Sequence, residues 1–183
     1  MFKYVGDISD ISHYIIDTFL ENKNVAVDCT LGNGHDTDFL SEKFSKVYSF
    51  DIQESSIENY NSKNKENVNS ILDSHEFIDK YIDEKVDCII YNLGFLPGSS
   101  KEITTILEST LKSIEKGLDM LNSNAIMSIA AYPGHEEGRR EYEGIIKFAE
   151  NLSTKTYGVM IHKFLNRHKH PPVLIIIEKN EKK

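Results

Sequence analysis

Tryptophan is absent from this 183-residue chain, cysteine occurs twice and proline four times. Each scarcity excludes something. Cys29 and Cys88 lie far apart, each in or at the end of an apolar run. That excludes a disulfide scaffold and a Cys-x-x-Cys redox or zinc motif, and reads as two buried free thiols. Without Pro-rich linkers, low-complexity tracts or repeats, nothing divides the chain, so a single domain spanning 1–183 is expected. The longest apolar runs, such as 125–131 and 173–177, fall far short of the roughly 20 residues that span a bilayer. No membrane segment is expected. The first residues lack the order of a secretory signal, and Asp7 and Asp10 would spoil a transit peptide, so a cytoplasmic location is expected. His162, His168 and His170 are not arranged around acids or thiols at ligand spacing, so no metal site is expected.

Charge of one sign is in excess, with 29 acidic against 21 basic residues. The imbalance is uneven. Residues 1–138 hold 24 acids and 11 bases, a net of -13, whereas 139–183 hold 5 and 10, a net of +5. Such a split either decorates a solvated surface or marks the footprint of an anionic partner.

Apolar runs of strand length alternate with stretches of helical period, the pattern of an α/β sheet. Strands are predicted at 24–29, 46–50, 68–71, 86–91, 125–131, 156–162 and 173–178, and helices at 9–20, 36–44, 55–62, 74–82, 102–121 and 135–151. No helix separates the last two strands. A seven-stranded, mostly parallel sheet ending in an antiparallel hairpin follows, with ligands gathering at the carboxyl ends of the strands.

The first strand runs through Asp28-Cys29-Thr30-Leu31-Gly32-Asn33-Gly34 into His35-Asp36-Thr37. Glycines let the backbone approach a ligand, and the helix start offers free N–H groups. The third glycine of a dinucleotide fingerprint is missing, and an acid in the first turn opposes a pyrophosphate. A cofactor with a positive charge, such as a sulfonium with an amino-acid tail, suits Asp28 and Asp36 better. Asp51 ends the second strand 23 positions after Asp28, where a carboxylate can accept both hydroxyls of a ribose. Together these residues point to an adenosyl ligand. After the third strand, His75 is placed to flank the adenine, while Ser74 caps a helix or joins it.

The fourth strand leaves Asn92-Leu93-Gly94-Phe95-Leu96-Pro97-Gly98, an active-site composition. The segment resembles the one many amino-group methyltransferases carry at this place, which implies that Asn92 accepts a hydrogen bond from a target amine and, with Leu93, borders the cofactor; an Asn at a strand end is otherwise a turn residue. Phe95, Pro97 and Gly98 would shape the acceptor pocket. The fifth strand leads to Tyr132-Pro133-Gly134-His135 and then Arg139. His135 either takes a proton from the amine or starts the helix, and Arg139 suits a phosphate.

These segments, with Phe50-Asp51-Ile52-Gln53 and the stretch from Asn166 to Pro172, resemble the small bacterial "putative rRNA methylase" family, also called the YtqB or MnmM family, over nearly the whole chain. The resemblance implies a Rossmann-like class I methyltransferase fold, with helices on both sheet faces, using S-adenosylmethionine. It implies N-methylation of 5-aminomethyl-2-thiouridine at the tRNA wobble position, with the anticodon loop as partner. By position, Asp28, Gly32, Asn33, Gly34, His35, Asp36 and Thr37 would hold the methionine portion, Asp51 and Gln53 the ribose and adenine side. Asn92, Tyr132 and His135 would face the amine. Asn166 and Arg167 stand where the family has Asn-Gln, and Arg167 suits a phosphate or base contact. An rRNA or small-molecule amine methyltransferase, a nicotinamide-dependent oxidoreductase and a non-catalytic RNA-binding module are the competing readings. The oligomeric state stays open, a homodimer included.

Overall fold

Lys46–Asp51 and Val86–Asn92 are rich in β-branched and aromatic residues and bury both faces, as interior strands of a parallel sheet do. The computed structural model describes residues 2, 4–94, 104–167 and 170–180. In chain order it runs α1 (Ile8–Phe19), β1 (Val25–Asp28), α2 (His35–Lys43), β2 (Lys46–Asp51), α3 (Glu54–Asn61), β3 (Val68–Leu72), α4 (Ile78–Tyr81), β4 (Val86–Asn92), α5 (Leu107–Met120), β5 (Leu121–Ala131), α6 (Glu136–Glu150), β6 (Tyr157–Lys163) and β7 (Val173–Lys179). The strand order is β3-β2-β1-β4-β5-β7-β6. β1 to β5 are parallel, and β7 inserts antiparallel between β5 and β6. The order reverses between β1 and β4, which opens a crevice at their carboxyl ends.

Alternate residues of each strand feed opposite faces. Ile89 and Tyr91 pack with Ile114, Leu118 and Ile145 of α5 and α6, while Cys88 and Ile90 pack with Ile16 and Leu40 of α1 and α2. Truncating a fully buried side chain such as Ile89 to alanine would cost about 2–5 kcal/mol. Both cysteines are free and buried, and burial pushes their thiols up. α1 starts at Asp7, whose carboxylate accepts from Ser9 N at 2.9 Å, and it docks on β5 through a 2.6 Å bond between Ser12 and Ser128 hydroxyls.

Three elements differ from expectation. The helix predicted at 74–82 becomes a 3₁₀ turn, His75–Phe77, followed by the single turn of α4. His75 there turns inward, its Nδ1–H donating to Cys29 O at 3.0 Å. α5 begins at Leu107 rather than 102, because Ile106 is extended and Glu137 accepts from Leu107 N at 3.0 Å. β5 follows α5 without a loop: Leu121 pairs with Val86 ahead of a register shift, where Asn122 donates to Asp87 at 2.6 Å.

Candidate active site

A cavity of about 910 Å³ lies over the carboxyl ends of β1, β2 and β4, large enough for a drug-sized ligand and part of a second. The loop after β1 forms its floor. Gly32 (φ 49°) and Gly34 (φ 81°) adopt left-handed backbone. At Gly34 a side chain would also collide with the Tyr60 ring, so only glycine lets the chain turn into α2.

Asp28 is fully buried behind this loop rather than on the cavity wall. Its carboxylate accepts from Thr30 N at 2.9 Å and from the Thr37 hydroxyl at 2.6 Å. Burial first, then the neighbouring Asp36 carboxylate, push its pKa up to about 7. None of Asp28, Gly34 and Thr37 lines the cavity; they shape the loop from behind.

Gly32, Asn33, His35 and Asp36 do line it, as do Asp51 and Gln53. Asp51 accepts from Gly32 N and Gln53 N, one on each oxygen at 2.8 Å, which aims the carboxylate along the loop and leaves further lone pairs for a ligand. Beside it the exposed Ile52 and buried His75 give an apolar flank. Burial lowers the His75 pKa, so its ring is neutral. Ser74 both lines the cavity and caps the turn after β3.

Asn92 and Leu93 stand opposite. Asn92 N donates to the Thr30 hydroxyl at 2.8 Å, and its side-chain Nδ2 donates to Asp36 Oδ2 at 3.2 Å. A carboxylate can only accept, so the amide nitrogen faces Asp36 and the amide oxygen is the group left to receive a donor. The backbone beyond is clamped. Gly94 N donates to the Thr105 hydroxyl at 2.8 Å and Thr105 N to Gly94 O at 3.2 Å. The Thr105 and Thr110 hydroxyls in turn donate to the two oxygens of Glu141, at 2.8 and 2.5 Å. Glu141 is 1% exposed, and burial raises its pKa. Phe95, Pro97 and Gly98 lie outside the described residues.

Tyr132 and His135 border the same space. Burial and then the charges of Asp7 and Asp36 push the Tyr132 phenol up to about 12, so it stays neutral and can donate. His135 Nδ1 accepts from Gly138 N at 3.1 Å and caps α6. The lone pair of Nδ1 is thus committed to the helix, as the reading of His135 as a helix-start residue has it. Gly138 sits where any side chain would strike Tyr132 O, so the first turn of α6 nests on the loop.

Arg167, Asn166 and Arg139 are not among the residues lining the cavity. Arg167 donates to Val5 O at 3.2 Å and Gly6 O at 2.9 Å and stacks on Phe164 at 3.6 Å, so its guanidinium ties the N-terminal segment to the turn after β6. Asn166 and Arg139 are exposed, and Arg139 N donates to the carbonyl of His135 at 2.9 Å. Sequence reasoning missed His13, Thr30, Thr105, Glu141 and His170. His170 lines the cavity in left-handed backbone (φ 52°). Glu141 carries a readable signal, because it falls on the same helical face as Gly138, Ile145 and Ala149, all buried. His13 carries none, since only the packing of α1 against α2 brings it to the site.

The family model described as "Putative rRNA methylase" matches residues 47–178. This chain belongs to that family. The methylase is 33% identical to a putative rRNA-methylase from Clostridium thermocellum, with 96% of this chain and 98% of that one covered and a TM-score of 0.91. It is 35% identical to a methyltransferase from Streptococcus mutans solved with S-adenosylhomocysteine, with 96% and 99% covered and a TM-score of 0.88. It is also 28% identical over 191 residues to the chloroplastic tRNA (mnm5s2U34)-methyltransferase of Arabidopsis thaliana, which covers 94% of this methylase and 69% of the relative. Among the described residues no helix is long and apolar enough to cross a membrane, and no cluster of acids, cysteines or histidines could hold a metal ion.

Proposed function

We propose that this methylase transfers a methyl group from S-adenosylmethionine to the primary amine of 5-aminomethyl-2-thiouridine at the tRNA wobble position. The donor set suits that cofactor. The loop after β1 puts the Asp36 carboxylate in the first turn of α2, where a phosphate would be repelled and a cationic amino-acid tail attracted. Gly32, Asn33, His35 and Asp36 would border the methionine portion, Asp51 and Gln53 the ribose, and Ile52, His75 and Leu93 the adenine. Bound there, the cofactor supplies a methyl group on a sulfonium, electrophilic without further activation.

The carrying observation is Asn92, whose amide oxygen is the unspent acceptor on the wall facing the cofactor loop. An amine donating one N–H to that oxygen has its lone pair directed away from Asn92, across the cavity. Alignment of this kind is worth up to roughly 7–11 kcal/mol of barrier in favourable cases. Tyr132 offers a neutral hydroxyl at the same edge. The tRNA assignment draws support from the Arabidopsis relative and from the basic C-terminal quarter. Exposed Arg139 on α6 belongs to that footprint, and an RNA loop with splayed bases is the form such sites read.

The test is incubation of the protein and S-adenosylmethionine with tRNA from cells lacking this activity, followed by nucleoside mass spectrometry. Conversion of the aminomethyl nucleoside to its methylaminomethyl form is expected. Methylation of rRNA or of small amines instead would replace the substrate assignment, and binding of NAD but not S-adenosylhomocysteine would remove the reaction class.

A further inference from the structure

α1 contributes one polar side chain to the site. His13 Nε2 lies 2.7 Å from Asp36 Oδ1, and its ring stacks on Phe39 of α2 at 3.9 Å between centroids with 6° between planes. Asp36 thereby takes a donor on each oxygen, His13 on one side and the Asn92 amide on the other. The His13 side chain is 22% exposed and that of Asp36 only 7%. A second carboxylate, the fully buried Asp28, sits close enough for the charge of Asp36 to act on it.

We propose that His13 is a positioning residue that decides which face of the Asn92 amide meets the acceptor amine. The inference rests on the role given to Asn92 above. Bound to His13 through Oδ1, the Asp36 carboxylate keeps Oδ2 turned to the Asn92 amide nitrogen. Without that tether the carboxylate is free to rotate and the bond to Nδ2 is lost. The amide can then turn over and present its NH2 group to the cavity. Two donors, the Asn92 amide and the amine, would face each other, and the lone pair would lose its alignment. His13 prevents that turn by fixing the orientation of Asp36. Fold stability is a separate matter, because Ser12 and the apolar residues Ile8 and Ile16 dock α1 without it.

Two variants separate the hydrogen bond from the stack. His13→Phe retains an aromatic ring against Phe39 and removes the donor; His13→Gln restores an N–H donor without the ring. In His13→Phe, kcat is expected to fall by about ten- to a hundredfold. S-adenosylhomocysteine affinity by calorimetry should stay within about threefold of wild type, and His13→Gln should recover most of the rate. The Asn92 side-chain amide signals in the ligand-free protein should shift in His13→Phe and return in His13→Gln, a readout that needs no substrate. An unchanged kcat in His13→Phe, an equal loss in both variants, a fall in S-adenosylhomocysteine affinity matching the loss of rate, or unshifted Asn92 signals would each overturn the proposal. Failure of the wild-type protein to methylate tRNA would count against the substrate assignment, while the amide signals would still report on the His13 chain.

Discussion

The cavity wall beneath β1 and β2 is built from sequence neighbours, whereas the wall beneath β4 and β5 is held by partners far along the chain. On the first, Asp28 meets Thr30 two residues on and Thr37 nine on, and Asp51 meets Gly32 across 19. On the second, Thr105 meets Glu141 across 36 residues, Asn92 meets Asp36 across 56 and Thr30 across 62. A local wall forms once two adjacent strands pair. A distant one requires α1, α5 and α6 to be docked, so its geometry inherits every packing error in the helices. The cofactor half is therefore expected to tolerate distant change, and the acceptor half to be sensitive to it.

The comparison breaks most sharply at its two anchor residues. Asn92→Ala should lower kcat about a hundredfold while leaving S-adenosylhomocysteine affinity near wild type. Asp51→Ala should do the reverse, weakening S-adenosylhomocysteine binding roughly a hundredfold through loss of charge-assisted hydrogen bonds. Calorimetry and steady-state kinetics on both variants check the split, and equal losses in both quantities would erase the distinction between the walls.

Glu141 gives the next largest effect. Glu141→Leu removes the acceptor of the buried Thr110 hydroxyl and the half-buried Thr105 hydroxyl, so kcat should fall about tenfold and stability by about 1–3 kcal/mol, with cofactor affinity unchanged. Denaturant unfolding alongside kinetics separates the two.

Asp28 sharpens the comparison from the other side. Its pKa is raised from the usual 3.8 to about 7 in the folded protein. Between those values the native state binds more protons than the unfolded state, so the contribution of Asp28 to stability is complete below about pH 4 and is lost as pH rises through about 7. Asp28→Asn should flatten the dependence of Tm on pH across that window, and thermal scans from pH 4 to 8 measure it. The smallest effect belongs outside the cavity. Arg139→Glu should weaken tRNA binding by about two- to fivefold and reduce its salt dependence, with kcat at saturating tRNA unchanged.

The same division governs what could be read from the sequence. All seven strands lie within a few residues of their predicted ends, β5 alone extending by four at its start, because buried runs between turn residues leave little choice of period. That Gly32, Asp36, Asp51 and Asn92 line the cavity was legible because Asp51 and Asn92 end strands and Gly32 and Asp36 stand in the loop and helix start after one, at the crevice that the strand order creates. That Asp28 and Thr37 bond to each other behind the loop was not legible, because motif position does not distinguish a residue on the cavity wall from one that shapes the wall from behind. His135 fills the helix-start role that the sequence left open beside proton transfer, its Nδ1 accepting from Gly138 N, while the tie of Arg167 Nη2 to the carbonyls of Val5 and Gly6 has no local signal. His13 stayed invisible for the reason that the acceptor wall is fragile: its partner is named only by the packing of helices.

The most direct measurement uses a synthetic anticodon stem-loop bearing 5-aminomethyl-2-thiouridine at the wobble position, beside the same stem-loop with unmodified uridine. Mass spectrometry after incubation with protein and S-adenosylmethionine should show a single added methyl on the aminomethyl nitrogen of the first and none on the second, with Asn92→Ala slowing the reaction. Equal methylation of both stem-loops, or of neither while the protein binds S-adenosylhomocysteine, would contradict the assignment of the acceptor wall to that amine.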